Sequence, residues 1–167
     1  MSRITDFDED NIVKALLEGA GLSAFVFHTH FQLEFFCDTN KKYNGKRLPH
    51  HVILTIQGDW WFGDKQEWDE TVRKMTAGFT YVEPDEPVLA FKLAALRWTE
   101  SSTVSSVALT PEKVVIMFHC GESITILNQD DCEGEPPWEI VESGYSSSDS
   151  PWYAGCAEGE IIYDIYE

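Results

Sequence analysis

The sequence predicts an α+β fold, a mainly antiparallel and strongly twisted sheet or half-barrel of about six or seven strands with about three helices packed on it. Two observations carry this. Val114 to Leu127, VVIMFHCGESITIL, sets two runs rich in β-branched residues around a short polar break with a glycine, the pattern of a β-hairpin. Val114 to Phe118 is apolar throughout, so both of its faces should be covered. Ser123 to Leu127 alternates until its last two residues, as a strand with one wetter face does, and Gly121 supplies the positive φ of the turn. The second observation is an internal echo. Leu22 to Phe27, Phe31 to Phe36 and Val52 to Gln57 match Thr103 to Leu109, Val114 to Phe118 and Ser123 to Leu127, each set after a helix. Two such β-meander units, roughly residues 8–62 and 86–140, are expected to pair into one sheet within a single domain, residues 1–167, followed by a C-terminal tail strand.

Asp8 or Asp10 caps the first predicted helix, whose face is Ile12, Val13, Leu16, Leu17 and Ala20, and Gly19 and Gly21 end it. The polar segment Asp38 to His51 between the second and third strands holds Lys41, Lys42, Lys46 and Arg47 and reads as an exposed loop. After the aromatic cluster Trp60, Trp61 and Phe62, Asp64 with Glu67 three residues on begins a second helix with the stripe Trp68, Val72 and Met75. Gly78 stops it. Pro87 suits the first position of a third helix with the stripe Leu89, Leu93 and Leu96. Leu89, Phe91 and Leu93 also alternate, and Ala90, Ala94 and Ala95 decide for helix. Thr110 to Lys113 is a turn. The tail adds Trp138 to Val141, a Ser-rich loop ended by Pro151, and a final strand Glu160 to Ile165.

The net charge of -17 is unevenly spread: after Lys113 there are twelve acids and no Lys or Arg. Such a surface disfavours nucleic acid and anionic membrane and suits a basic protein partner, although acidity also serves plain solubility. No apolar run approaches the ~20 residues of a membrane span, and the acidic start MSRITDFDEDN is unlike a signal peptide, so the expected location is the cytoplasm. Cys37, Cys120, Cys132 and Cys156 are widely spaced and are expected to be reduced.

The run Pro111 to Leu127, then Pro137-Trp138-Glu139-Ile140 and Gly159-Glu160, resembles a small bacterial family whose domain has no assigned function and whose members are similar in size and acidity to immunity proteins of toxin systems. The resemblance covers the second half of the chain. Cys120-Gly121 stands where the family has Asp-Gly, and the Asp38 to His51 segment is an insertion. The resemblance implies an immunity-type inhibitor and carries over no functional residue.

Chemistry-bearing groups are few in pattern. His28 and His30 share a face, and His50, His51, His119 and Cys120 offer further nitrogen and sulfur, but no metal-ligand spacing makes them converge. Adjacent residues such as His119 and Cys120 point to opposite faces of a strand and suit a turn better than a nucleophilic pair. Asp130, Asp131, Glu133 and Glu135 lack the spacing of a calcium loop. No cofactor and no catalytic residue is therefore expected. Trp60 and Trp61 stand out as anchors for a partner, with core packing as the alternative, and those four acids are the other candidate contacts. Two functions remain: a non-enzymatic acidic binding protein, or a small enzyme or ligand-binding domain with a cavity between sheet and helices lined by Trp60, Trp61, His28 and His30. Glu160 and Asp164 should keep the tail strand from pairing edge to edge, leaving a monomer or a salt-sensitive homodimer through the basic loop.

Overall fold

The computed structural model describes residues 2–4, 11–27, 30–80, 85–98, 102–129, 134–157 and 159–165. The chain opens with β1 (Ser2–Ile4) and the short α1 (Ile12–Leu17), then forms β2 (Gly21–Phe27), β3 (Phe31–Phe36), the small pair β4 (Lys42–Tyr43) and β5 (Lys46–Arg47), β6 (His51–Ile56) and β7 (Trp60–Phe62). Two helices follow, α2 (Lys65–Met75) and α3 (Asp85–Trp98). The rest is strand: β8 (Val104–Leu109), β9 (Lys113–Phe118), β10 (Ser123–Leu127), β11 (Trp138–Glu142), β12 (Trp152–Ala157) and β13 (Glu160–Ile165). The fold is α+β with antiparallel sheets.

Both expected meanders form, but in different sheets. β2, β3 and β6 belong to a seven-stranded sheet of order β1-β13-β12-β11-β6-β3-β2, whereas β8, β9 and β10 form a four-stranded sheet with β7. The partner that β6 takes is β11, through Leu54 opposite Ile140, because both strands present an apolar face to the same core. The two sheets meet at Gly21 and Thr103, where Leu22 N donates to Ser102 O at 3.0 Å and Val104 N to Ala20 O at 2.8 Å. At the other side β6 runs directly into β7 through Gln57, Gly58 and Asp59. The strands thus close a ring: β2, β3, β6 into β7, β10, β9, β8 and back to β2. One core fills it, with contributions from both sheets and all three helices.

The bend between β6 and β7 depends on Gly58. A Cβ there would lie 2.9 Å from Pro137 Cβ and 3.3 Å from the carbonyl of Leu127, so any side chain would force two pieces of backbone apart. The backbone N–H groups of Gln57 and Gly58 both donate to Pro137 O, at 2.9 and 2.8 Å, and hold the bend against the start of β11.

Asn11 caps α1, its Oδ1 accepting from Val13 N at 2.8 Å, while the expected caps Asp8 and Asp10 lie outside the described residues. Ile12, Val13, Leu16 and Leu17 are buried, and the helix packs on β8. Asp64 caps α2 as expected, accepting from Gln66 N and Glu67 N. Its stripe is less buried than its spacing suggests: Trp68 is buried, Val72 is partly so and Met75 is exposed. α3 begins two residues before Pro87, which therefore sits inside the first turn, where a missing N–H leaves no bond unmade. Leu89, Leu93 and Leu96 are buried; Phe91 and Trp98 on the other face are exposed.

The hairpin of β9 and β10 pairs Val114 with Ile126 and Ile116 with Ile124, and Gly121 has φ +88°. Val114, Ile116 and Phe118 are buried, but Val115 and Met117 are only half-buried, so the continuous apolar run does not have two covered faces. The Asp38 to His51 segment is not a plain exposed loop either. Asn44 and Gly45, at φ 49° and 80°, turn β4 into β5, and Leu48 and Pro49 are buried. This small hairpin rests on its own chain's tail: Tyr43 packs edge-on to Tyr163, and Lys46 Nζ donates to Ile165 O at 3.4 Å. The tail strand β13 is not the sheet edge expected of it, because β1 pairs along it through Arg3 opposite Ile162. No helix among the described residues is long and apolar enough to cross a membrane.

Candidate functional site

The bend after β6 delivers two groups of side chains. On one side β7 pairs with β10, placing Trp60 opposite Ile126 and Trp61 opposite Thr125. Phe62 points into the core. Gly63, at φ +72°, turns the chain so that α2 folds back across β7, and its N–H donates to Ser123 O at 2.7 Å. Between the strand and the helix lies a groove of about 480 Å³ whose aromatic lining is Trp60, Trp61 and Trp68. Trp60 contacts Phe31 and Trp68, with ring centroids 5.3 and 5.7 Å away, so it is braced from the core side while half-exposed. Lys65 carries its ammonium 5.6 Å from the centre of the Trp61 ring and pairs with Asp69 at 2.5 Å. Both charged groups are more than half exposed, so the pair itself is worth about 0.3–0.5 kcal/mol. Asp59 and Arg73 complete the charged rim.

On the other side of the bend is Glu135, the one candidate acid among the described residues. Asp130, Asp131 and Glu133 lie outside them. The Gln57 side-chain amide donates to Pro136 O at 3.1 Å and to Glu135 Oε2 at 2.9 Å, and His30 Nε2 is 3.7 Å from the same carboxylate oxygen. Glu139, on the face of β11 opposite the buried Trp138 and Ile140, stands close by. Burial lifts its carboxyl above the ordinary value, the Glu135 charge adds to the lift, and His30 opposes it. Tyr153 on β12 is pushed up to about 12, chiefly by burial and then by Glu139 and Cys156.

The remaining expected chemistry is dispersed. His51 pairs with Glu34 at 3.1 Å, and the rings of His50 and His51 pack on Phe36, while His119 and Cys120 sit in the β9–β10 turn. His28 lies outside the described residues, and His30 faces Glu135 and does not line the tryptophan groove. Among the described residues no three His, Cys, Asp or Glu side chains gather as a metal site would need. Burial pushes the Cys37 thiol up to about 11 against the lowering effect of Lys41, which leaves it inert at neutral pH.

Of the expected contacts, Trp60 and Trp61 line the groove together, whereas Glu135 stands on the other side of the bend with Gln57 and His30. Lys65, Trp68 and Asp69 of α2 also line the groove. The spacing of Trp68 marks it as core stripe, which it also is, and Lys65 with Asp69 is an ordinary i,i+4 pair whose importance comes only from Trp61 lying beneath it. Compared with known proteins, the chain matches no family model, no curated protein and no solved structure.

Proposed function

We propose that this chain is a non-enzymatic binding protein that takes a basic protein partner at the tryptophan groove, in the manner of an immunity-type inhibitor of a basic toxin. The observation that carries the reading is the Lys65 ammonium over Trp61 beside Asp69: the groove already holds a cation between an aromatic face and a carboxylate. A partner's lysine or arginine entering between Trp60, Trp61 and Asp59 finds the same chemistry, worth about 0.5–1 kcal/mol for each exposed cation–π contact. Braced tryptophans make good anchors because little side-chain freedom is lost on binding. The net charge of -17 steers a basic partner toward the surface from a distance. Within the basic segment Lys41 and Lys46 are engaged with carbonyls of their own chain, while Lys42 and Arg47 are exposed.

The test is capture of partners from the native host on wild-type protein and on Trp61→Ala, with identification by mass spectrometry and elution by salt. A basic protein that is retained by wild type, lost from Trp61→Ala and released as salt rises supports the reading. An acidic partner, or retention indifferent to both changes, defeats it. The second reading, a small enzyme or ligand-binding domain, draws on the placement of the groove between a sheet and a helix. In that case a small molecule, not a protein, would compete for Trp60 and Trp61.

A further inference from the structure

α3 leaves one apolar face open to solvent. Phe91 is 61% and Trp98 is 89% exposed, and Ala95 between them is exposed as well, while Leu89, Leu93 and Leu96 hold another face in the core. Residues 91, 95 and 98 follow the i, i+4, i+7 spacing of one stripe, so the helix is apolar on two sides. Single exposed rings are ordinary on a protein surface, but two on one stripe form a patch of the kind that marks a contact.

The stripe is symmetric in size. Positions 91 and 98 are centred on the step between Ala94 and Ala95, so it reads large, small, small, large. A second α3 laid antiparallel across that step brings each Phe91 level with Trp98 of the other copy, and the alanines meet at the two-fold axis, where their size lets the helices approach closely. Two aromatic pairs then flank the axis. Charge favours the same arrangement. The chain carries -17, yet no Asp or Glu lies between Pro87 and Trp98, so two copies touch here without setting carboxylates together. The two bases of this stretch are held by their own chain: Lys92 Nζ lies 5.9 Å from the centre of the Phe62 ring, and Arg97 Nε donates to Ser23 O at 3.1 Å.

We infer that α3 is a self-association surface, on which a second copy of this chain packs as an antiparallel two-fold pair with Phe91 against Trp98 of the other copy. Aromatic side chains carry about 150–250 Å² each, so the two exposures offer roughly 300 Å² per copy, well short of the ~800 Å² of a standard stable interface. The dimer is therefore weak. Repulsion between two copies of charge -17 weakens it further at low salt, so added salt strengthens it. A dimer through the basic loop would respond to salt in the opposite sense. The inference is independent of the tryptophan groove, whose lining contains no residue of α3.

The test is sedimentation velocity of the full-length protein from about 10 µM to 1 mM, the range for so small an interface, at about 50 and 500 mM sodium chloride. Dimer content should rise with concentration and with salt. Trp98→Glu and Phe91→Lys, both at exposed positions that leave the core intact, should each weaken association about tenfold or more by setting a charge against an apolar ring. Mixing the two variants should restore dimer. The mixed pair keeps one contact of Phe91 with Trp98 and sets the new ammonium against the new carboxylate in the other, which only the antiparallel register allows. A monomer throughout, a dimer that salt dissociates, or variants that associate as wild type does overturns the inference. So does a mixture no more dimeric than its two components.

Discussion

Trp138 donates its indole N–H to Oδ1 of Asn128 at 2.8 Å, and both residues are buried. Asn128 in turn donates through Nδ2 to the carbonyls of Thr110 at 2.9 Å and Pro111 at 3.3 Å, while its backbone N–H reaches Glu112 O at 2.8 Å. One side chain therefore ties the β8–β9 turn to the end of β10 and the start of β11. Asn128→Ala leaves a buried indole without an acceptor and turn carbonyls without a donor, and is expected to cost about 2–4 kcal/mol. Urea unfolding measures it. The double variant with Trp138→Phe should be less than additive by on the order of 1–2 kcal/mol, because the orphaned N–H is then absent. Strict additivity would mean that the bond contributes nothing of its own.

The bend that builds the candidate site makes Gly58 its most sensitive backbone position. Gly58→Ala sets a methyl 2.9 Å from Pro137 Cβ, and the displaced atoms belong to a rigid ring and to backbone. The expected cost is about 1–3 kcal/mol, with the strain passed to Trp60 two residues on. Tryptophan fluorescence of the folded variant should change along with its urea midpoint. An unchanged midpoint would show that β11 moves freely away from the bend.

Local pairings were readable because their causes are local. The hairpin of β9 and β10 follows from two β-branched runs around Gly121, and α2 starts at Asp64 because the carboxylate meets two free N–H groups. The partition of the two meanders was not readable. It is decided by β6 taking β11 and by the contact of Gly21 with Thr103, pairings across about eighty residues of chain that no short pattern encodes. β12 carries no strand signal because Ala154, Gly155 and Cys156 are small and do not alternate, though Ala154 and Cys156 are buried in the core. The Asn44-Gly45 turn carried the usual signal of a two-residue hairpin, obscured by flanking strands of only two residues. At the candidate site, the tryptophans were legible by composition. Their groove was not, because its far wall is α2.

Glu139 supplies a pH dependence with a definite sign. Its carboxyl is raised from the ordinary 4.5 by burial first and by Glu135 second. Above the unfolded value, the native state thus holds more protons than the unfolded chain, and stability falls as pH rises through the window between the two values. Glu139→Gln removes that loss. The variant should be more stable than wild type at pH 7 and lose its advantage as pH drops below the unfolded carboxyl value, with the size reduced by the partial exposure of the group. Urea midpoints at pH 4 and pH 7 decide it, and a variant less stable at pH 7 would mean that the carboxylate is held by a favourable contact.

The cysteines should differ sharply in reactivity, although all are expected to be reduced. Cys120 sits exposed in the β9–β10 turn, whereas Cys37 and Cys156 are 2% and 0% exposed. Burial outweighs the nearby Lys41 charge and pushes the Cys37 thiol up to about 11. At pH 8 that leaves about one molecule in a thousand as the nucleophilic thiolate, before access is considered. Brief alkylation of the native protein with iodoacetamide, mapped by mass spectrometry, should label Cys120 and spare Cys37 and Cys156. Unfolding in urea should then open both to the reagent. Labelling of Cys37 at the rate of Cys120 in the native state would require the segment around Lys41, which also holds the last carbonyls of α1, to open readily, and Lys41→Met should then change the rate little.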